Sequence, residues 1–214
     1  MAKLALEIPQ KPYILTVGGV ALIEFFSKII LRYICNKKVI NEEEIELYKY
    51  GIEITLSSLL NIILILLISL ITNTFYLGIT FLTVFISVRK YTGGFHANTY
   101  LTCNFTFVCC YLTVVAFTKQ ELIKSGYLHI LISLLCILVI LLLCPIENKN
   151  KKISNKKKMK LIAIISYLFW SVFSLIFIFI NPILSNGILF TLYLITGLVI
   201  IGFIKERLTI KSQV

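Results

Sequence analysis

Residues 51–71 read GIEITLSSLLNIILILLISLI. Past Glu53 the run carries no charge. It matches the ~20 apolar residues that a helix needs to cross the hydrocarbon core of a bilayer. A helix that is apolar all round belongs either in a large packed core or in lipid. The whole chain decides between them. It has 214 residues, 58% hydrophobic and 14% charged, with a mean hydropathy of +0.94. Soluble domains run near ~25% charged, and a water-soluble fold of this size has nowhere to hide so much apolar surface. The composition therefore predicts an all-α polytopic membrane protein. It forms a single integral membrane domain over residues 1–214, with no linker that would set off a soluble one.

Towards the C-terminus the pattern repeats. After Thr72-Asn73, apolar runs cover 75–88, 98–117, 127–144, 161–180 and 183–204, which with 51–71 makes six expected spans. The run 75–88 stops at Arg89-Lys90 and is short for a straight crossing. It predicts either an earlier helix start or a locally thinned bilayer. Pro145, Asn181-Pro182 and Lys205-Glu206-Arg207 close the later runs. Towards the N-terminus, Asn41 before Glu42-Glu43-Glu44 has the form of a capping box feeding the first span. Residues 13–35 are apolar but broken by Glu24, Lys28 and Arg32, which recur at i, i+4 and i+8. One charged face of that kind is expensive in hydrocarbon, so this segment reads as an amphipathic interfacial helix. Met1 to Pro12 lacks the apolar core of a signal peptide.

Lys and Arg outnumber Asp and Glu by 21 to 10, a net charge of +11. Seven of the lysines lie between Glu147 and Lys160. Basic loops stay on the cytoplasmic side, so this loop orients the chain. Counting spans outward puts Arg89-Lys90, residues 36–49 and both termini in the cytoplasm, with 72–74 and 181–186 outside. The 118–126 turn, with its two lysines, is the one exception. Lys149, Lys151, Lys152, Lys156, Lys157 and Lys158 also form a candidate landing site for an acidic segment. The basic residues sit in short loops without aromatic interleaving, which excludes nucleic acid as a partner. The six cysteines contain no C-x-x-C pair, and no G-x-G-x-x-G or P-loop occurs. Neither a metal nor any other cofactor is expected.

The chemistry concentrates in Arg89-Lys-Tyr-Thr-Gly-Gly-Phe-His-Ala-Asn-Thr-Tyr-Leu-Thr-Cys103, at the break between two apolar runs. A thiol becomes a nucleophile beside a base in a water-poor site, and His96 with Cys103 offers that pair. Seven residues of helix span ~10.5 Å, too far for proton transfer along one unbroken helix. Gly93-Gly94 provides the break that lets a non-helical segment carry His96 back towards Cys103. Such a segment at membrane depth must be buried in protein or line a wet groove. Arg89 reads as a cytoplasmic flank or as a clamp for a substrate carboxylate. Cys109, Cys110, Cys136 and Cys144 have no basic neighbour in the sequence and read as packing residues. His129 reads as interfacial, and Asn61 as an interhelical hydrogen-bonding group.

The motif Arg89…Gly93-Gly94-Phe95-His96-Ala97…Cys103 resembles the AgrB family, accessory gene regulator membrane peptidases that process quorum-sensing propeptides in Gram-positive bacteria. Tyr50-Gly51 and Pro145 before the lysine loop fit the family's pattern as well. The resemblance implies Cys103 as nucleophile, His96 as its base, and Arg89 and the Gly93-Gly94 pair in support. It implies an AgrD-like propeptide partner with an amphipathic leader and an acidic tail, cut on the C-terminal side of its signal region and cyclised to a thiolactone or lactone. It also implies a homodimer in the bacterial cell membrane. Two other readings compete. A small non-catalytic transporter or scaffold would line a path with Glu53, Asn61 and Asn104, but no span carries a charge at its centre. A lipid-modifying enzyme would need an acid/base cluster that the sequence lacks.

Overall fold

The computed structural model describes residues 18–37, 44–93, 99–119, 126–146 and 155–211. Seven helices follow one another: α1 Gly18–Asn36, α2 Ile45–Ile71, α3 Phe75–Thr92, α4 Tyr100–Lys119, α5 Gly126–Leu143, α6 Lys156–Phe177 and α7 Pro182–Lys211. There is no strand among the described residues. The protein is the all-α polytopic membrane protein that its composition predicts. By length and composition α2, α4, α6 and α7 are able to cross a bilayer, and α5 supplies a shorter apolar helix over Tyr127–Leu143. The helix that carries the second apolar run does not stop with it at Val88. α3 continues through Arg89 and Lys90 to Thr92, because the backbone hydrogen-bonding goes on to Gly93, whose N–H donates to the Arg89 carbonyl at 3.3 Å. Its 18 residues measure about 27 Å at helical rise.

The chain divides after Ser58 into two compact units, residues 1–58 and 59–214, and α2 runs through the division. In the first unit, α1 buries Ile23, Ser27 and Leu31 in one row. Lys28 and Arg32 are exposed on the neighbouring row, and Phe25, Phe26, Ile29, Ile30 and Tyr33 are exposed beyond it. One helix thus presents both a charged row and bare aromatic and aliphatic surface.

In the second unit α7 is the axis. It packs against α3, α4, α5 and α6, while α3 also meets α4 and α6, and α5 meets α6. Small residues permit the closest approach: a Cβ at Gly187 would run into the Leu77 side chain of α3. An aromatic cluster joins α3 to α4, with the Phe85 and Phe107 rings 4.9 Å apart edge to face and Phe81 5.4 Å from Tyr111. Polar side chains inside the bundle find partners on neighbouring helices. Trp170 Nε1 donates to Ser87 Oγ at 2.8 Å, linking α6 to α3, and Ser185 Oγ donates to the Ser174 carbonyl at 2.8 Å, linking α7 to α6. Tyr111 OH and Thr74 Oγ1 lie 2.7 Å apart, tying α4 to the α2–α3 turn. Tyr111→Phe keeps the ring and loses this bond, so thermal unfolding in detergent should register a loss of about 0.6–1 kcal/mol. Tyr111→Ala, which empties a fully buried site, should cost about 3–5 kcal/mol in the same measurement.

Candidate functional site

The C-terminus of α3 is stopped by one residue. Gly93 takes φ +67° and ψ −147°, a region essentially closed to side chains with a Cβ. Its carbonyl accepts from Arg89 Nη1 at 2.7 Å while its N–H bonds back to the Arg89 carbonyl. Arg89 and Gly93 therefore close a small loop through main chain and side chain together. The reading of Arg89 as a carboxylate clamp is qualified by this, since one arm of the guanidinium already holds the turn.

A second segment lies on this turn. Cys144, Pro145 and Ile146 follow α5, and the Ile146 N–H donates to the Thr92 carbonyl at 3.2 Å. A Cβ placed on Gly93 would sit 2.5 Å from the Ile146 carbonyl oxygen. The glycine is thus required twice, by its backbone angles and by the chain lying against it. Thr92 is fully buried beneath the contact.

The third contribution comes from α4. Thr99 caps its start, with the Thr102 N–H donating to Thr99 Oγ1 at 3.2 Å and the Cys103 N–H to the Thr99 carbonyl at 3.1 Å. Cys103 stands in the first turn of the helix, half-buried. The Arg89 charge is within electrostatic reach of Cys103, and also of Cys110 and Cys144. The charge of one guanidinium therefore acts on three thiols, two on α4 and one at the end of α5. Cys110 and Cys144, read from the sequence as packing residues with no basic neighbour, are both buried, and the Arg89 charge reaches both across the fold. Cys110 stands at i+7 from Cys103, on the same helical face, which was the available sequence signal. Nothing local signals Cys144, because its approach depends on how α5 ends. The Thr99 cap was also missed; a threonine just before an apolar helical run was the signal for it.

His96 and Gly94 lie outside the described residues, as do Lys149, Lys151 and Lys152. Lys156, Lys157 and Lys158 are exposed on the first turn of α6, where Asn155 Oδ1 accepts from the Lys158 N–H at 3.0 Å. His129, read as interfacial, is instead buried, with Nδ1 3.3 Å from Tyr193 OH. Asn61 is buried in α2, but its Oδ1 has no hydrogen-bond partner among the described residues, so the interhelical bond expected of it is not made through that oxygen.

A half-buried thiol at a helix start, with a fixed positive charge in electrostatic reach, is a candidate nucleophile for a carbonyl once a base takes its proton. The family model for accessory gene regulator B matches residues 27–204, which takes in every element of this site. The chain belongs to the AgrB family. A protein of Clostridium beijerinckii named as AgrB-like is 28% identical over 177 residues, covering 81% of this chain and 86% of its own length. Two AgrB-like proteins of Clostridium perfringens are 27% and 26% identical, covering 65% and 72% of this chain and 68% and 78% of theirs. No solved structure matches the chain. Membership of the AgrB family, with its apolar helices, makes this a membrane protein with an accessory gene regulator role in autoinducer processing and an AgrD-like propeptide as its substrate.

Proposed function

We propose that the protein is a membrane-embedded cysteine endopeptidase and peptide cyclase, with Cys103 as nucleophile and His96 as its base. The observation that carries this reading is the placement of Cys103, half-buried in the first turn of α4 with the Arg89 charge in reach. In the reaction His96 takes the thiol proton and the sulfur attacks the propeptide carbonyl at the end of the signal region. The peptide bond breaks, the amine of the departing tail takes up the proton, and a thioester to Cys103 remains. A thiol or hydroxyl within the bound peptide then attacks that thioester. The ring closes as a thiolactone or lactone and the Cys103 sulfur is released. The acyl group stays activated throughout, so no nucleotide is consumed. Exclusion of water lets ring closure compete with hydrolysis.

In this reading six helices, α2 to α7, cross the bacterial cell membrane and α1 lies along its inner surface. Both termini and the Arg89–Cys103 end face the cytoplasm, following the positive-inside bias. The protein acts as a homodimer. The propeptide leader shares the lipid surface with α1, and its acidic tail meets Lys156, Lys157 and Lys158 together with Lys149, Lys151 and Lys152. Cations at a helix N-terminus reinforce the positive end of its dipole, which suits an anionic guest.

Purified protein in liposomes, given a synthetic propeptide, should yield a shortened ring-closed product and a transient acyl adduct on the peptide that contains Cys103. Mass spectrometry reads both, and an intact propeptide with unmodified protein rejects the reading. His96→Ala should insert normally and leave the propeptide unshortened; normal rates in that variant remove the histidine from the mechanism. Reversing Lys156, Lys157 and Lys158 to Glu should weaken propeptide binding at low salt by about tenfold or more, the size expected when several exposed charges change sign. An unchanged titration assigns those lysines to topology alone.

A further inference from the structure

The 19 residues of α1 measure about 28 Å, a length that could cross a bilayer. Its surface argues against that. At 3.6 residues per turn the side chains fall into three sectors of roughly 80°, 80° and 140°. Ile23, Ser27 and Leu31 form the first and are turned into the protein, with Ile34 half-buried beside them. Glu24, Cys35, Lys28 and Arg32 follow around the helix as the second. Glu24 and Cys35 are half-buried, and the two cations are exposed. Phe25, Ile29, Tyr33, Phe26 and Ile30 fill the third. All five are exposed, Phe25 at 59% and Tyr33 at 65%, and only Asn36 at the last helical position breaks the sector.

Neither water nor hydrocarbon alone suits this surface. In water the third sector leaves five large apolar side chains bare. In the middle of the bilayer Lys28 and Arg32 stand in hydrocarbon. At the boundary both sectors are satisfied, the apolar one among acyl chains and the basic one among headgroups. Tyr33 suits that level, with an apolar ring and a polar tip. Lys37 Nζ stands 5.9 Å from the centre of the Tyr33 ring, which puts a third cation beside the same residue. Over residues 18–37 Lys28, Arg32 and Lys37 oppose only Glu24, so the segment carries net positive charge.

We propose that α1 selects anionic phospholipids from the inner leaflet. The two outward sectors share an edge, where Arg32 adjoins Phe25. One lipid can therefore set its phosphate against Arg32 and Lys28 and lay its chains on the aromatic and aliphatic sector. The guanidinium offers a fork that matches phosphate oxygens, and the ammonium adds a point charge. A zwitterionic lipid carries the same phosphate, but its own cation cancels the charge that the basic row attracts. The preference is thus for net negative headgroups. It rests on the placement of α1 along the inner surface and not on the peptidase reading.

Tryptophan quenching in liposomes tests this on the full chain. Phe26→Trp places an indole in the exposed apolar sector, and the signal of Trp170, the one native tryptophan, is subtracted using the unsubstituted protein. Vesicles hold three parts phosphatidylcholine to one part phosphatidylglycerol, with one lipid or the other brominated on its acyl chains. Per mole, brominated phosphatidylglycerol should quench the indole at position 26 about threefold or more better than brominated phosphatidylcholine, the size expected for two or three basic groups at a lipid surface. The preference should vanish in Lys28→Gln/Arg32→Gln protein and shrink at high salt, while total quenching persists. Equal quenching by the two lipids overturns the lipid selectivity and leaves the interfacial placement standing. Quenching by neither overturns both, and means that protein, such as a second copy of this chain, covers the apolar sector. The same preference should be found in Cys103→Ala protein, so the lipid site and the peptidase can fail separately.

Discussion

Cys103→Ala abolishes shortening of a co-expressed propeptide, while the protein accumulates in the membrane at the wild-type level. The expected loss of rate is more than about a thousandfold, because no other group takes over a covalent step once its nucleophile is gone. Removal of a half-buried thiol near a helix start should disturb the fold little, since the cap is made by Thr99 Oγ1 and the Thr102 N–H, and residue 103 contributes only a backbone N–H that alanine retains. The neighbouring thiols provide the control. Cys110 and Cys144 share the Arg89 charge with Cys103, so electrostatics alone do not distinguish the three. Exposure does: Cys103 is half-buried and the other two are buried. Cys110→Ala and Cys144→Ala should therefore retain processing, apart from whatever stability the lost packing removes. Mass spectrometry of the propeptide in the three strains decides it. Full processing in Cys103→Ala ends the peptidase account, and loss in Cys144→Ala with retention in Cys103→Ala moves the nucleophile to the α5 exit.

Much of the architecture is legible in the chain because a bilayer imposes one simple rule, that apolar runs are helices and polar breaks are turns. Asn181-Pro182 and Thr72-Asn73 mark turns for that reason, and the charged row of α1 shows in its spacing. The rule says nothing about which helix sits in the middle. α2 is as apolar as α7, yet α7 gathers α3, α4, α5 and α6 around it. That choice is made by interhelical detail such as Gly187 against Leu77 and Tyr193 against His129, in which each residue looks unremarkable alone. The candidate site divides in the same way. Arg89, the glycine pair and Cys103 are close in sequence, and their spacing exposes them. Cys144 and Ile146 reach them only through the end of α5. A histidine three residues into an apolar run, as His129 is, looks like an exposed anchor until the helix opposite buries it against a tyrosine.

Gly93→Ala should be the most damaging single methyl in the protein. The backbone angles at Gly93 alone carry a cost of about 1–3 kcal/mol for any residue with a Cβ. The added carbon would also stand 2.5 Å from the Ile146 carbonyl oxygen, a main-chain atom that no rotamer change moves away. Relief requires either that Ile146 give up its hydrogen bond to Thr92 or that Gly93 give up its bonds to Arg89. In the first case the α5 exit lifts off α3 and takes Cys144 with it. In the second the guanidinium is released from the turn that ends α3. Both outcomes predict a lower unfolding temperature in detergent and propeptide processing reduced by about a hundredfold, the penalty of an ångström-scale misplacement at a reacting centre. Gly197→Ala is the matched control. It lies within α7 with no atom placed to meet a new Cβ, so the substitution should be neutral or stabilising by up to about 1 kcal/mol. If Gly93→Ala behaves like Gly197→Ala, the turn is not what positions this end of α3. If Gly93→Ala unfolds at the wild-type temperature but no longer processes propeptide, the turn serves chemistry and not stability.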